Sequence, residues 1–336
     1  MKIIMASSNQ EKRLYFSQLY RDPVKHFVRV HGWLSAAIEK TLDIRSEKRR
    51  GKSRFAKYFT FPGEHAIDVL LFSERGIIEE TKVGFPGVVY CESRFETLTE
   101  INKRLGKCMG VFPYPFERAV FSRQFESFCP FDIINLDLTR EIFPRNGRPE
   151  SNTIRAIQKL LSLHSNQDFD LYITFKSSRR ETNPEAVKDF MQMVNDNFAS
   201  NTSLKDAFVE SCGMECDELQ HSNFTLFWCK SFPKWVLEQG LTKDVGGKLV
   251  GEYFYARRPR YATQYDIITF LFSFQRSSSH FMSTHRMITD TQREILRSFS
   301  LTPMNVDEIL GTNVEAQVSL RKDVERILKK PPKRAS

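Results

Sequence analysis

Between residues 24 and 42 the apolar positions Val24, Phe27, Val28, Val30, Leu34, Ala37, Ile38 and Leu42 recur mostly at three- and four-residue steps, the spacing that gives a helix one buried face. Residues 1–50 read as helical and lead into a basic linker at 45–54. The period then shortens. Tyr58-Phe59-Thr60-Phe61 is an aromatic and β-branched run that predicts a strand, and Pro62-Gly63 marks where that strand turns toward a helix. Residues 64–78 have helical spacing, with Ala66, Ile67, Leu70, Leu71 and Ile78 near one side, and residues 84–87 read as a loop. Strands are predicted at 87–92, 131–138 and 170–175, and helices at 95–105, 152–163 and 185–198. Strands that are apolar at nearly every position are buried on both faces, as in parallel sheets covered by helices. The alternation therefore predicts an α/β protein with a Rossmann-like, mostly parallel sheet.

Past residue 200 the pattern changes. Residues 224–237 form one more amphipathic helix, and two strands, 248–255 and 265–274, follow with only a short basic loop between them. A parallel crossover needs a dozen or more residues, so these two strands must pair as an antiparallel hairpin. Helical spacing returns at 291–299, 306–310 and 314–328, and the tail from Pro331 reads as disordered. The organisation that follows is a helical N-terminal extension with a basic linker at 1–54, a sheet-forming domain at 55–285, and a helical C-terminal extension with a basic tail at 286–336.

Composition narrows the class. With 336 residues and 40% hydrophobic content the chain can bury a large core. No apolar run approaches the roughly 18 residues of a membrane span, and the apolar start at Met1 to Ala6 is too short for a signal peptide. Six cysteines scattered through a chain of this size suit a reducing compartment, so a cytoplasmic location is expected. Cys212, Cys216, His221 and Cys229 carry zinc-ligand chemistry, but their spacing is loose and lacks a Cys-x-x-Cys knuckle; no metal is expected.

The net charge is +9, and much of it sits in Arg45, Lys48, Arg49, Arg50, Lys52 and Arg54, in Arg257, Arg258 and Arg260, and in Lys329, Lys330, Lys333 and Arg334. Such clusters draw in phosphate backbones by releasing counterions, and equally they can be solvated loops. A nucleic-acid partner is the expectation for the clusters at 45–54 and 257–260, and the helical ends leave room for a protein partner.

An alternating sheet closed by an antiparallel hairpin resembles the class I S-adenosylmethionine-dependent methyltransferases, over roughly residues 55–276. The resemblance implies a glycine-containing loop after the first strand, matched by Phe61-Pro62-Gly63, where a bare backbone lets the cofactor approach. It implies an acidic residue closing the second strand, matched by Glu92, whose two oxygens suit the vicinal ribose hydroxyls. It also implies a catalytic motif at the end of the fourth strand, matched by Asn135-Leu136-Asp137-Leu138; the run from Phe131 to Asp137 is similar to the acidic motif of tRNA guanine dimethyltransferases. By this resemblance Phe61, Pro62, Gly63, Glu92 and Asn135 bind S-adenosylmethionine, and Asp137 is the catalytic residue.

Structural roles stand beside these: a plain turn for Gly63, a helix cap for Glu92, a strand interior for Asn135. Thr174-Phe175-Lys176-Ser177-Ser178 ends the fifth strand at the same sheet edge, which makes Lys176 and Ser177 further lining candidates. The chain departs from the family in having one glycine in the first loop and no Pro-Pro-Tyr or Pro-Phe-Gly after Asp137. Those departures leave open a methyltransferase-like, non-catalytic binding or regulatory protein within a larger assembly. A dinucleotide oxidoreductase lacks its Gly-x-Gly-x-x-Gly, and a hydrolase its Gly-x-Ser-x-Gly.

Overall fold

The computed structural model of the chain describes residues 22–47, 55–138, 140–145, 153–165, 167–257, 265–276 and 281–330. Most of the two internal basic clusters, at 48–54 and 258–260, and the tail from Pro331 lie outside the described residues. A helical segment opens the chain: α1 (Pro23–Phe27), a π-helical stretch (Val28–Leu34) and α2 (Ser35–Glu47). There follow β1 (Tyr58–Thr60), α3 (Ile67–Glu74), β2 (Gly84–Cys91), α4 (Phe95–Leu105), β3 (Lys107–Phe112), α5 (Phe116–Ala119), α6 (Arg123–Phe128), β4 (Ile133–Asp137), α7 (Thr153–Leu163) and β5 (Phe169–Ser177). Helices α8 (Pro184–Ser200), α9 (Thr202–Cys212), α10 (Cys216–Ser222) and α11 (Phe224–Leu241) precede β6 (Val245–Arg257) and β7 (Tyr265–Arg276). The chain closes with α12 (Phe281–Ser300), β8 (Met304–Asn305), α13 (Val306–Gly311) and α14 (Val314–Leu328).

The strands form one sheet in the order β3-β2-β1-β4-β5-β7-β6-β8. Neighbours from β3 to β5 are parallel, while β7 lies antiparallel between β5 and β6. This is the Rossmann-like, mostly parallel sheet ending in an antiparallel hairpin that the periodicity predicts. Both faces are dry. Phe59, Val89, Ile134, Leu171 and Ile173 point into a core roofed by α5 to α8, α11 and α12. Tyr58, Val88, Tyr90, Ile133 and Tyr172 point the other way, into a core closed by the N-terminal helical segment, α3, α4, α13 and α14. Period-two alternation along each strand splits its side chains between the two cores.

Helix starts follow local chemistry. Asn183, Asn201, Asn223, Asn305 and Asn313 each accept a backbone N–H at the start of α8, α9, α11, α13 and α14, the usual work of an N-cap. Three of the differences from the periodicity have a local cause. Residues 84–87, expected as a loop, begin β2: a Cβ at Gly84 would lie 2.2 Å from Lys107 O, so glycine there permits the close approach of β3, and the register shifts between Phe85 and Val89 around Pro86. Strand β3 itself has no periodic signal because it is a half-exposed edge strand whose Gly110 makes room for the Phe128 ring. In the N-terminal segment the middle turns widen to π geometry where Gly32 packs against Tyr253, whose hydroxyl donates to His31 O at 3.2 Å. Such widened turns gather at functional sites.

A buried polar network ties β1 to its neighbours. Asp68, in the first turn of α3, accepts hydrogen bonds on Oδ2 from the hydroxyls of Tyr58 at 2.7 Å and Thr60 at 2.6 Å, and Asn135 Nδ2 donates to Tyr58 at 3.1 Å. Burial and the adjacent Asp68 carboxylate push the Tyr58 phenol well above its usual range, so it stays a donor. A second device sits under β4. His164 Nε2 accepts from Phe131 N–H at 2.9 Å while Nδ1–H donates to Leu160 O at 2.8 Å. Only the neutral ring can do both, and burial pushes its pKa down to about 4.

Two outcomes are expected. Asp68→Ala strips the acceptor from two buried hydroxyls and should cost about 2–3 kcal/mol in urea unfolding; an unchanged midpoint would show that the network is not holding β1. His164 has a folded pKa below its unfolded value near 6.5, so its contribution is complete above that value and is lost as pH falls toward about 4. His26, also pushed down to about 4 by burial, acts in the same direction. Burial pushes the Asp170 carboxyl up to about 6 and that of Glu252 up to about 7, which acts in the opposite direction over the same range, so the test is a difference between variants: His164→Leu should be less stable than the parent protein at pH 7, with the gap closing as pH falls from 6.5 toward 4.

Candidate functional site

The carboxyl ends of β1, β2, β3 and β4 open onto one crevice of about 470 Å³, a volume typical of small-ligand sites. Parallel pairing sets its geometry. Thr60 lies opposite Tyr90 in β2 and Asn135 in β4, so two residues further along each strand Pro62, Glu92 and Asp137 arrive at one level. All three line the crevice, together with Phe61 and Gly63. Gly63 has a φ of 59°, a left-handed conformation that favours glycine and lets the chain leave β1 sharply. Ala66, at a φ of 46°, takes the same region without that freedom just before α3. Strain of this kind in a non-glycine residue costs of order 1–3 kcal/mol and gathers at ligand sites.

The charged groups of the crevice are held in pairs. Asp137 Oδ2 lies 2.6 Å from Lys25 Nζ of α1, both side chains being 14% exposed. Glu92 Oε1 accepts from Arg94 N–H at 2.7 Å, beside the Arg94 guanidinium at 3.5 Å. That bond goes to Arg94, the residue before α4, and not to an N–H of the helix, which starts without a side-chain cap, while the carboxylate also faces the crevice. Glu117, after β3, is buried, accepts from the Thr153 hydroxyl at 2.7 Å and pairs with Arg140. Asp68 forms part of the floor, and Tyr114, Phe116 and Leu138 supply apolar wall. Cys91 also lines it, but burial, with Glu117 and Glu92 nearby, pushes its thiol far up and away from nucleophilic use.

Two groups of residues singled out in the sequence are placed elsewhere. Asn135 is fully buried beneath the rim, with its amide spent on Tyr58, and does not line the crevice. Its side chain projects to the face of Tyr58, the same face from which Lys25 approaches Asp137. Lys176 and Ser177 do not line it either: Lys176 pairs with Glu141 at 3.3 Å and with Glu181, and Ser177 meets Thr225 at 3.3 Å. The 140–145 segment covers the end of β5, with Lys176 N–H bonded to Arg140 O. Periodicity missed Lys25, Arg29 and Trp33, which reach the crevice from the N-terminal segment. Their four-residue spacing is the signal, a stripe on the helix beside the apolar one. Among the described residues no group of three or more His, Cys, Asp or Glu is placed to hold a metal ion, and no helix is long and apolar enough to cross a membrane. A second hollow of about 370 Å³, at the amino end of β6, is lined by Lys248, Arg276, Arg286 and Arg293 with Asp290 and Glu294; Asp290 pairs with Arg286 and Arg293, and Glu294 with Arg297.

In comparisons with known proteins, the chain is similar to the plantazolicin methyltransferase BpumL, whose crystal structure is in complex with a triazolic desmethylPZN analog and SAH. The alignment covers 80% of this chain and 92% of that one, at 13% identity and a TM-score of 0.33. No curated protein matches the chain. A family model described as PP_RS20740-like matches residues 117–331, more than half of the sequence, and the chain belongs to that family.

Proposed function

We propose that the chain is an S-adenosylmethionine-dependent methyltransferase whose cofactor binds in the crevice beyond β1, β2 and β4. The observation that carries this reading is the convergence of Pro62-Gly63, Glu92 and Asp137 at one level of a parallel sheet rim, where open α/β sheets bind nucleotides. The residues present fit such a ligand. Gly63, at positive φ, removes a side chain from the tightest turn, and Glu92 brings a carboxylate suited to paired hydroxyls. Phe61, Tyr114 and Phe116 give apolar surface for a nucleoside.

S-adenosylmethionine, when bound, supplies a methyl group already activated on a sulfonium. What remains for the protein is alignment, which can account for several kcal/mol of a barrier. In this reading Glu92 orients the ribose. Asp137, fixed by Lys25, accepts a hydrogen bond from the amino group of the acceptor and aims its nitrogen. The apolar wall excludes water. The likeness of residues 131–137 to tRNA guanine dimethyltransferases and the net charge of +9 support a nucleic-acid acceptor.

One observation favours a second reading, a methyltransferase-like binding protein without turnover: the Asp137 carboxylate is already engaged by Lys25 at 2.6 Å. Calorimetry and radiolabel transfer separate the two. For the enzyme, S-adenosylmethionine binds at micromolar concentrations and bulk tRNA or DNA gains label. Cofactor binding with no transfer, or no cofactor binding at all, would overturn the nucleic-acid methyltransferase and favour the second reading. Glu92→Ala should weaken S-adenosylmethionine about tenfold or more, as loss of a charged hydrogen-bond partner does. Asp137→Ala should abolish transfer while leaving the unfolding midpoint near that of the parent protein; surviving turnover would refute its catalytic role.

A further inference from the structure

The rim of the sheet is rich in acids. Asp68, Glu92, Glu117 and Asp137 all face the crevice from sheet-side elements, where Arg94 and Arg140 pair with Glu92 and Glu117, so acids outnumber cations on that side. The opposite wall has the opposite character. Lys25, Arg29 and Trp33 come from outside the sheet, at successive steps of four along one helical stripe.

Trp33 is 1% exposed, and its indole N–H has no acceptor among the described residues. Buried donors nearly always find a partner, and an indole nitrogen can only donate. Trp33 thus keeps a desolvated donor without an acceptor in the wall that Lys25 and Arg29 also line. Lys25 Nζ is held at the rim by Asp137, and Arg29 is 3% exposed. Donors beside positive charge favour an ionised acceptor, because charge-assisted hydrogen bonds are about twice as strong as neutral ones.

We infer that Lys25, Arg29 and Trp33 form an anion-recognising wall that binds a carboxylate of the crevice's occupant. Under the cofactor assignment proposed above, on which this inference rests, that group is the amino-acid carboxylate of S-adenosylmethionine. The helical segment before the sheet is then half of the ligand site. The π-helical turns carry Arg29 and Trp33, and the Tyr253 hydroxyl bonded to His31 O anchors them. On its other side the segment is tied down by His26 Nε2–H, which donates to Asp323 of α14 at 2.9 Å.

Two thioether nucleosides test the wall. S-adenosylhomocysteine keeps the amino-acid carboxylate and 5′-methylthioadenosine lacks it. By calorimetry the full-length protein should bind S-adenosylhomocysteine about tenfold or more tighter than methylthioadenosine, the difference one charge-assisted contact supports. Trp33→Phe and Lys25→Met should each weaken S-adenosylhomocysteine about three- to tenfold while changing methylthioadenosine by less than about twofold. Retained methylthioadenosine binding also shows that each variant is folded.

Equal loss for both ligands, or no loss for either, overturns the inference and leaves the cofactor assignment intact. If the parent protein binds neither nucleoside, the cofactor assignment fails. The wall is then judged by the indole ¹⁵N–¹H resonance of Trp33, assigned by its disappearance in Trp33→Phe, during titration with sodium acetate. A shift not shared by Trp228 and Trp235 keeps the inference, and a resonance that does not move overturns it.

Discussion

Parallel strands that are buried on both faces can be joined only by crossovers that carry the chain back over the sheet, and that requirement governs this molecule. Each of β1, β2, β3 and β4 delivers its following loop to the same edge, because parallel neighbours end together and the right-handed crossover returns the chain to the other end. Strand β1 is only three residues long, yet it is paired on both sides and aligns the exits of β2 and β4 with its own. The crevice is a consequence of register before it is a matter of side chains.

The polar groups around that edge are arranged so that few are left to water or to chance. Asp68 collects the hydroxyls of Tyr58 and Thr60, and Asn135 reaches the same phenol from β4, so the floor beneath the first loop is one connected network. Asn135 Oδ1 has no partner among the described residues, while the bonds among the other members stiffen the network. That makes β1, short as it is, a rigid platform. Glu117 joins β3 to the segment after β4 through Arg140 and Thr153 in the same manner. The carboxylates of the rim therefore have fixed positions before any ligand arrives, which is the condition for alignment to contribute to catalysis.

The N-terminal helical segment completes the site from outside the sheet. It packs on the face that carries Tyr58, Tyr90 and Tyr172, and from there its polar stripe meets the rim. The ion pair between Lys25 and Asp137 is half-shielded, with each side chain 14% exposed. Its worth lies less in stability than in geometry, since a partly buried pair offsets much of its own attraction by desolvation. Gathering cations on this wall and acids on the other gives the crevice a polarity across its width, and a ligand with charges at both ends would be oriented by it.

What the sequence determined by itself was the class of the fold. Continuous apolar strands such as 131–138 and 170–175 exclude a one-sided sheet, and the short connection between 248–255 and 265–274 requires a hairpin. Glu92 and Asp137 were readable because a carboxylate at the end of an apolar strand has no business in a core. The edge strand β3, the short helices α5, α6, α9 and α10, and the extension of β2 back to Gly84 were not readable, since half-exposed or glycine-broken segments carry no period. Tertiary structure alone decided that Asn135 turns away to Tyr58, that the end of β5 is covered, and that Lys25, Arg29 and Trp33 face the crevice. Those outcomes depend on which face of the sheet each helix covers, and local spacing says which side of a helix is apolar without saying what its other side will meet.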